Sequence, residues 1–467
     1  MSDPVHQALA ADREGVLARL AAFLAIPSVS TDPAFLPHVA AAQQALQQRL
    51  AAAGFQQVRL LDCAGHRPVY AEWLGAPGRP TLLVYGHYDV QPPDPLAAWT
   101  TPPFAPAIRD GRIYARGASD DKGPLSVAVE VLCAFLAVEG RLPCNVKLLI
   151  EGEEEVGSRH LPAIVAANRE LLACDALLSA DGARWRADLP ALNIGSRGIA
   201  VMELALETAG KDLHSGRYGG AVRNALHEMA RLVAGLHDAE GRVAVPGFHD
   251  GILPPANAEA ASLVDLPFDE AAFHAAIAAP PHGEPGHSTL ERLWFRPCLD
   301  VNGLWGGYTG AGSKTVIPSR AQAKLSCRLV PGQQPAAVLA ALRRHLEAAC
   351  PPGVRLSFTG EPHASPAYLL PGDHPLLAAC EGVLRDIHGR PPVRVRIGAT
   401  LPISELFRRE LGVDTVMFSF STADEDFHAP NEHMRLAGID EGLQAWVMAL
   451  RAVGRQAATD YAAFRAG

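Results

Sequence analysis

TLLVYGHYDVQP, residues 81–92, decides how this chain is read. Thr81–Gly86 is a short apolar run of strand length, and it breaks directly into His87 and Asp89. In open α/β sheets, ligands bind beyond the carboxyl ends of the strands. His87 and Asp89 lie two apart, so on an extended chain both face the same side. Asp89 can then hold the imidazole, fixing its tautomer and raising its basicity.

The same arrangement recurs along the chain. NVKLLI (145–150) runs into the acidic string 151–155, and DALLSA (175–180) ends at Asp181. RIYARGAS (112–119) runs into Asp120 and Asp121, and TVMFS (415–419) leads on to His428. Taken singly, each feature is a turn, a helix cap or a solvated acidic face. Taken jointly, five segments bring His and carboxylate groups to one edge. Acids in that number repel one another unless cations neutralise them. Two His and several carboxylates without a thiolate suit Zn²⁺, or a harder ion such as Mn²⁺. One ion would leave carboxylates over. Two ions ~3.5–4 Å apart sharing a carboxylate would use them, and such pairs serve hydrolases.

The pattern around these segments is that of an α/β layer fold. An amphipathic N-terminal helix is expected, with Leu17, Leu20, Phe23 and Leu24 on one face, then a helix over 39–53 ended by Gly54. Residues 124–138 form the clearest helix, with Pro124 in its first turn. The middle of the chain changes character. Residues 199–208 and 322–330 alternate like half-buried strands, 335–349 read as helix, and 276–288 read as a Pro/Gly/His-rich loop. The fold expected is α/β, a mixed-sheet catalytic domain interrupted by an α+β domain. The catalytic part takes residues 1–196 and 369–467, and the insertion 197–368.

Composition excludes several classes. The chain has 467 residues, 48% hydrophobic and 19% charged, which is globular and long enough for two or three domains. Its net charge of −9 leaves no basic footprint for nucleic acid. No run of ~18 apolar residues points to a membrane span. Asp12, Arg13, Glu14 and Arg19 interrupt the first thirty residues, which argues against a signal peptide. The eight cysteines form no CxxC pair, so a reducing cytoplasm is the expected location.

Seven collinear strings carry a resemblance: YGHYDVQP (85–92), RGASDDKG (116–123), EGEEEVGS (151–158), SADG (179–182), DLHSGRYGG (212–220), KTVIPSRAQAKLSCRLVP (314–331) and HAPNEH (428–433). On these the chain resembles di-metal dipeptidases of the carnosine dipeptidase and cytosolic non-specific dipeptidase type. The wider family includes carboxypeptidase G, aminoacylase and succinyl-diaminopimelate desuccinylase.

The resemblance implies two divalent ions per subunit, Zn²⁺ or Mn²⁺. His87 and Asp181 would complete one site, Glu155 and His428 the other, and Asp120 would bridge them. Asp89 would support His87, and Glu154 would act as general base. The Asp120–Asp121 peptide is expected to be cis. Three successive glutamates leave Glu153/Glu154 as a second register for base and ligand, and His433 competes with His428. Water between two divalent ions loses its proton near neutral pH. Glu154 would take that proton and the resulting hydroxide would attack the peptide carbonyl. Resemblance further implies a homodimer through the inserted domain, which serves as lid and dimerisation surface, with His214 stabilising the oxyanion in the neighbouring subunit. Arg328 is expected to grip the substrate's terminal carboxylate, with Thr315 and Thr400 as further contacts. The expected activity is dipeptide hydrolysis. An N-acyl amino acid deacylase on the same scaffold is the alternative, and a non-catalytic metal-binding subunit the third reading.

Overall fold

The apolar run at 81–86 extends one residue further in the computed structural model, as the strand Thr81–His87. Six of its seven residues are buried. The strand is apolar throughout because it is covered on both faces, as interior parallel strands are. Its sheet has six strands in the order Gln56–Leu60, Val69–Trp73, Asn145–Glu151, Thr81–His87, Ala176–Ser179, Thr415–Met417. The last four are parallel and the first two antiparallel, so the sheet is mixed. The register sets His87 beside Glu151 and Tyr85 beside Ser179. The chain leaves Thr81–His87 for one neighbour and later returns to the other. Its carboxyl end therefore faces the crevice where such sheets bind ligands.

The structure describes residues 3–256, 259–260, 263, 266–360 and 364–465. They form two units, one within Met1–Ile194, Leu370–Val395 and Leu406–Gly467, the other within Gly195–Leu369 and Arg396–Glu405. The short segment Arg396–Glu405 falls in the second unit, whereas the sequence reading kept it with the first.

In the first unit the expected N-terminal helix is two, Pro4–Ala11 and Arg13–Leu24, separated at Asp12. The next helix runs Leu36–Ala53 and stops at Gly54, whose φ of 97° suits a glycine cap. The helix expected at 124–138 spans Lys122–Glu139. It starts immediately after Asp120 and Asp121, so its positive end adjoins both acids. It packs against Leu436–Val453, another largely buried helix. One expectation changes. Arg112–Tyr114 is not part of the main sheet but of a small one with Ala107–Arg109 and His433–Arg435. Asp120 thus reaches the site from a helix-entry loop.

The second unit carries an antiparallel sheet in the order Cys298–Gly306, Arg320–Leu329, Gly198–Glu207, Arg355–Thr359. Along Arg320–Leu329, Ala321, Ala323, Leu325, Cys327 and Leu329 are buried, while Arg320, Gln322 and Lys324 are exposed. The buried face packs under the helices Ala225–Ala234 and Pro335–Ala349 in one core. This is the α+β layer that the alternation announces.

His374 caps the helix Pro375–His388, its Nδ1 accepting from Leu376 N at 3.2 Å. The ring stands edge-on to Tyr461 and Phe464, and its Nε2 has no hydrogen-bond partner among the described residues. Burial pushes this imidazole down to about 4. An unfolded histidine titrates near ~6.5, so the fold favours the neutral ring. That contribution is complete above about pH 6.5 and is lost as pH falls toward about 4, because the unfolded chain gains its proton first. His374→Asn keeps a capping acceptor but does not titrate. We expect it to remove about 2 kcal/mol of the stability lost between pH 7 and pH 4.5. Urea unfolding of both proteins at both pH values measures this, and an equal loss in the two would contradict it.

Candidate metal centre and active site

Thr81–His87 ends by placing His87 and, two residues on, Asp89 wholly in the interior. His87 Nε2 lies 3.0 Å from Asp120 Oδ1. Its Nδ1 is 3.1 Å from the Asp89 carbonyl oxygen and 3.4 Å from Asp89 Oδ1. The Asp89 carboxylate also accepts from Glu154 N at 3.3 Å and Glu155 N at 3.1 Å. It therefore links the imidazole to the short turn Glu154–Val156, which follows the strand Asn145–Glu151.

The three glutamates face different partners. Glu153 accepts from His66 N at 3.3 Å and lies 2.8 Å from His160 Nδ1. Glu155 Oε2 accepts from Gln91 Nε2 at 2.7 Å and is 3.2 Å from His428 Nε2. Glu154 lies near enough to His87, Asp181, Asp120 and Glu155 to feel their charges.

His428 Nε2 is 3.0 Å from Asp120 Oδ2. The two oxygens of Asp120 are thus turned toward different imidazoles. Two donor groups result, His87/Asp120/Asp181 and Asp120/Glu155/His428, with the donor atoms of each group within 4.8 Å of one another. His433 joins neither. It is buried, with Nδ1 3.2 Å from the Asn431 carbonyl oxygen and its ring against Tyr114.

Local backbone choices make this convergence possible. The Asp120–Asp121 peptide is cis. At Gly123 a Cβ would come within 2.0 Å of the Ala118 carbonyl oxygen, so only glycine lets the loop fold over the helix entry. Asp426, His428 and Asn431 all have φ between 54° and 63°. Asp, Asn and His tolerate this left-handed region best, at a cost of about 1–3 kcal/mol each when strained. Asn431 offsets part of that, accepting from Thr100 N and donating to the Ala98 carbonyl, both at 2.8 Å.

The electrostatics follow from crowding. Burial tends to raise Asp120, but hydrogen bonds from His428 and His87 outweigh it and hold the carboxyl well below its usual range. Burial tends to lower His87, but Asp120 and Asp89 outweigh it and raise the imidazole well above normal. His428 is pushed up to about 10 by its bonds to Asp120 and Glu155. Burial raises Asp181 to about 6. Burial, opposed by His87 and reinforced by Asp181, Asp120 and Glu155, raises Glu154 to about 9. The nest thus draws in positive charge and drives protons onto carboxylates. Two imidazoles, three carboxylates and no thiolate form a donor set suited to two divalent cations of the Zn²⁺ or Mn²⁺ kind.

The second unit holds the other residues singled out from the sequence. His214 is exposed, pairs with Val316 across a two-stranded ladder, and accepts from Gly216 N through Nδ1. The Thr315 carbonyl accepts from Ser215 N at 3.1 Å. Arg328 Nη1 donates to Thr400 Oγ1 at 2.9 Å. Arg197 was not foreseen. It is buried, donates from Nε to the Gly398 carbonyl at 2.7 Å, and is close enough to Arg328 for their charges to interact. Also unforeseen were Gln91, which holds Glu155, and Glu432, which receives the Asp120 loop. Gln91 and Glu432 lie inside strings already noted and Arg197 at the expected start of the insertion, but their burial and partners are not written in the sequence.

Residues 83–452 match the model of peptidase family M20/M25/M40, and the chain belongs to that family. It is a hydrolase acting on peptide bonds. A Beta-Ala-His dipeptidase of Homo sapiens is 30% identical over 387 residues, 80% of this chain and 75% of that protein. A Cys-Gly metallodipeptidase of Candida albicans is 28% identical over 450 residues, 91% of each chain. Among solved structures, an M20 family metallo-carboxypeptidase from Sulfolobus solfataricus superposes with a TM-score of 0.80 at 31% identity, covering 94% of this chain and 99% of that one.

The protonation pattern has a measurable consequence. With no cation bound, Asp120 and Asp89 hold His87, and Asp120 and Glu155 hold His428, toward their protonated forms, and a metal ion must displace those protons. Titration with Zn²⁺ at pH 7 should release at least two protons per subunit, the imidazole pair and, as the cations lower Glu154 from about 9, its carboxyl proton as well. Calorimetry in buffers of differing ionisation enthalpy would read this, and metal binding without proton release would contradict it.

Proposed function

We propose that the chain is an exopeptidase that hydrolyses dipeptides with the help of two divalent cations, Zn²⁺ foremost and Mn²⁺ second. The observation that carries this reading is the pair of donor groups meeting at Asp120. His87 and Asp181 would hold one cation, Glu155 and His428 the other, and Asp120 both. When bound, such a pair polarises the scissile carbonyl and makes water acidic near neutral pH. The named activities of the human and Candida relatives support dipeptides as the substrate.

Glu154 belongs to neither donor group and borders both. Its carboxylate takes a proton readily, as burial among other acids requires. In this reading it accepts the proton of the attacking water and returns it to the leaving amine. Asp89 keeps His87 oriented by occupying the Nδ1 side of the ring. Arg328 takes the substrate's terminal carboxylate, with Arg197 adding positive charge beside it. Thr315 and Thr400 supply polar contacts, and His214 stabilises the oxyanion in the partner subunit.

A homodimer through the second unit is part of the proposal. The outer strand Cys298–Gly306 leaves Val301, Leu304 and Trp305 exposed, and Tyr308 is exposed just beyond it. An uncovered apolar edge of this kind calls for a partner. No helix among the described residues is long and apolar enough to cross a membrane. The eight cysteines are unpaired, which suits a reducing cytoplasm.

Two measurements test the reading. Glu154→Gln should lower kcat by about 10³-fold with metal content intact, while Glu153→Gln should change it by less than about 3-fold, its partners lying outside the donor groups. Loss of bound metal in Glu154→Gln would reverse the roles of base and ligand. A panel of dipeptides set against N-acyl amino acids tests the substrate. Turnover confined to the acyl compounds would make the enzyme a deacylase.

A further inference from the structure

We propose that Glu432 is a positioning residue whose buried carboxylate sets the Asp120 loop and, through it, the spacing of both donor groups. The inference rests on the two-cation reading above and concerns how this chain keeps that nest in shape.

Glu432 is fully buried, and both of its oxygens are spent on one short segment. Oε1 accepts from Ser119 N at 2.8 Å and Asp120 N at 3.1 Å. Oε2 accepts from Gly117 N at 3.0 Å and Arg116 Nη1 at 2.7 Å. All four donors belong to Arg116–Asp120, the stretch that delivers the shared aspartate. This segment lies between the strand Arg112–Tyr114 and the helix Lys122–Glu139, so neither a sheet ladder nor a helix satisfies these three amides. Buried amides must find acceptors, and here one side chain supplies them from more than 300 residues away in the chain. The Glu432 carbonyl adds a bond from Ala115 N.

A neighbouring carboxylate works on the other side of the loop. Ser119 Oγ donates to Glu425 Oε2 at 2.9 Å, and Ser421 Oγ donates to the Ser119 carbonyl at 2.8 Å. Glu425 holds a side chain, whereas Glu432 holds the backbone of Asp120 itself. The same segment of chain also provides His428, four residues earlier. Glu432 therefore fixes the distance between Asp120 and a donor of the second group in a single step.

A glutamine at 432 would keep one acceptor oxygen and turn an NH₂ group toward amide donors. At least one backbone amide, or the Arg116 guanidinium, would then face a donor in place of an acceptor. Arg116→Gln gives the control. It breaks the same buried ion pair but leaves Glu432 its three amides.

The test is Zn²⁺ affinity at pH 7, by competition with a chromophoric chelator, together with the thermal midpoint of the metal-free protein. Glu432→Gln should bind Zn²⁺ about 10–100-fold more weakly than wild type. Arg116→Gln should stay within about 3-fold in affinity, although both variants lose thermal stability, since each leaves a buried group unpaired. If Glu432→Gln does not fold, the Arg116→Gln/Glu432→Gln double variant, which removes both buried charges, takes its place with the same expectation. Wild-type affinity in the Glu432 variant, or an equal loss in Arg116→Gln, overturns the proposal. A wild-type protein that binds no Zn²⁺ would instead overturn the two-cation reading beneath it.

Discussion

Asp120 has two carboxylate oxygens, and each faces a different imidazole. The other donors of the first unit are arranged around that division. Placing Asp181, Glu154 and Glu155 around it without counter-charge is unfavourable in a buried setting, which is why Glu154 and Asp181 hold protons so readily while His87 and His428 are drawn toward their cationic forms. A peptide hydrolase needs positive charge where the carbonyl oxygen becomes negative. The apolar sheet beneath, with strands buried on both faces, keeps solvent from screening these charges.

Geometry of this kind needs rigid support, and the chain supplies it unevenly. His87 is held by regular structure, at the end of an interior strand. Asp120 and His428 sit on irregular segments and depend on side chains for their placement. Asn431 pins one loop to residues 98–100, and Asp89 ties His87 to the amides of Glu154 and Glu155. Left-handed conformations at Asp426, His428 and Asn431 survive because neighbouring contacts leave the backbone no better choice.

Much of this was legible before any coordinates. The interior strands are uninterrupted apolar runs, and the half-buried ones in the second unit alternate, because burial on two faces or on one writes itself directly into residue choice. Acids and histidines placed after those runs mark the segments that supply the donors, and the resemblance to di-metal dipeptidases singles out His87, Asp120, Glu155, Asp181 and His428 among them, the residues that make up the two donor groups. In sequence Asp120 reads as following a strand end, yet it enters from a loop, since Arg112–Tyr114 resembles a core strand locally and its pairing partner, His433–Arg435, is far away in the chain. The N-terminal helix divides at Asp12, a break that periodicity does not carry. Glu432, Gln91 and Arg197 escaped notice because an ionisable or amide side chain looks the same in sequence whether it is solvated or enclosed. Only its partners reveal which.

Order along the chain adds a last consequence. His87, Asp120, Glu155 and Asp181 are translated early, then the whole of Gly195–Leu369 follows, and only afterwards come His428 and Glu432. A ribosome-bound nascent chain thus carries these acids through the synthesis of the second unit without the imidazole of His428 and the carboxylate of Glu432. The second donor group can therefore close only after the whole of the second unit has been made.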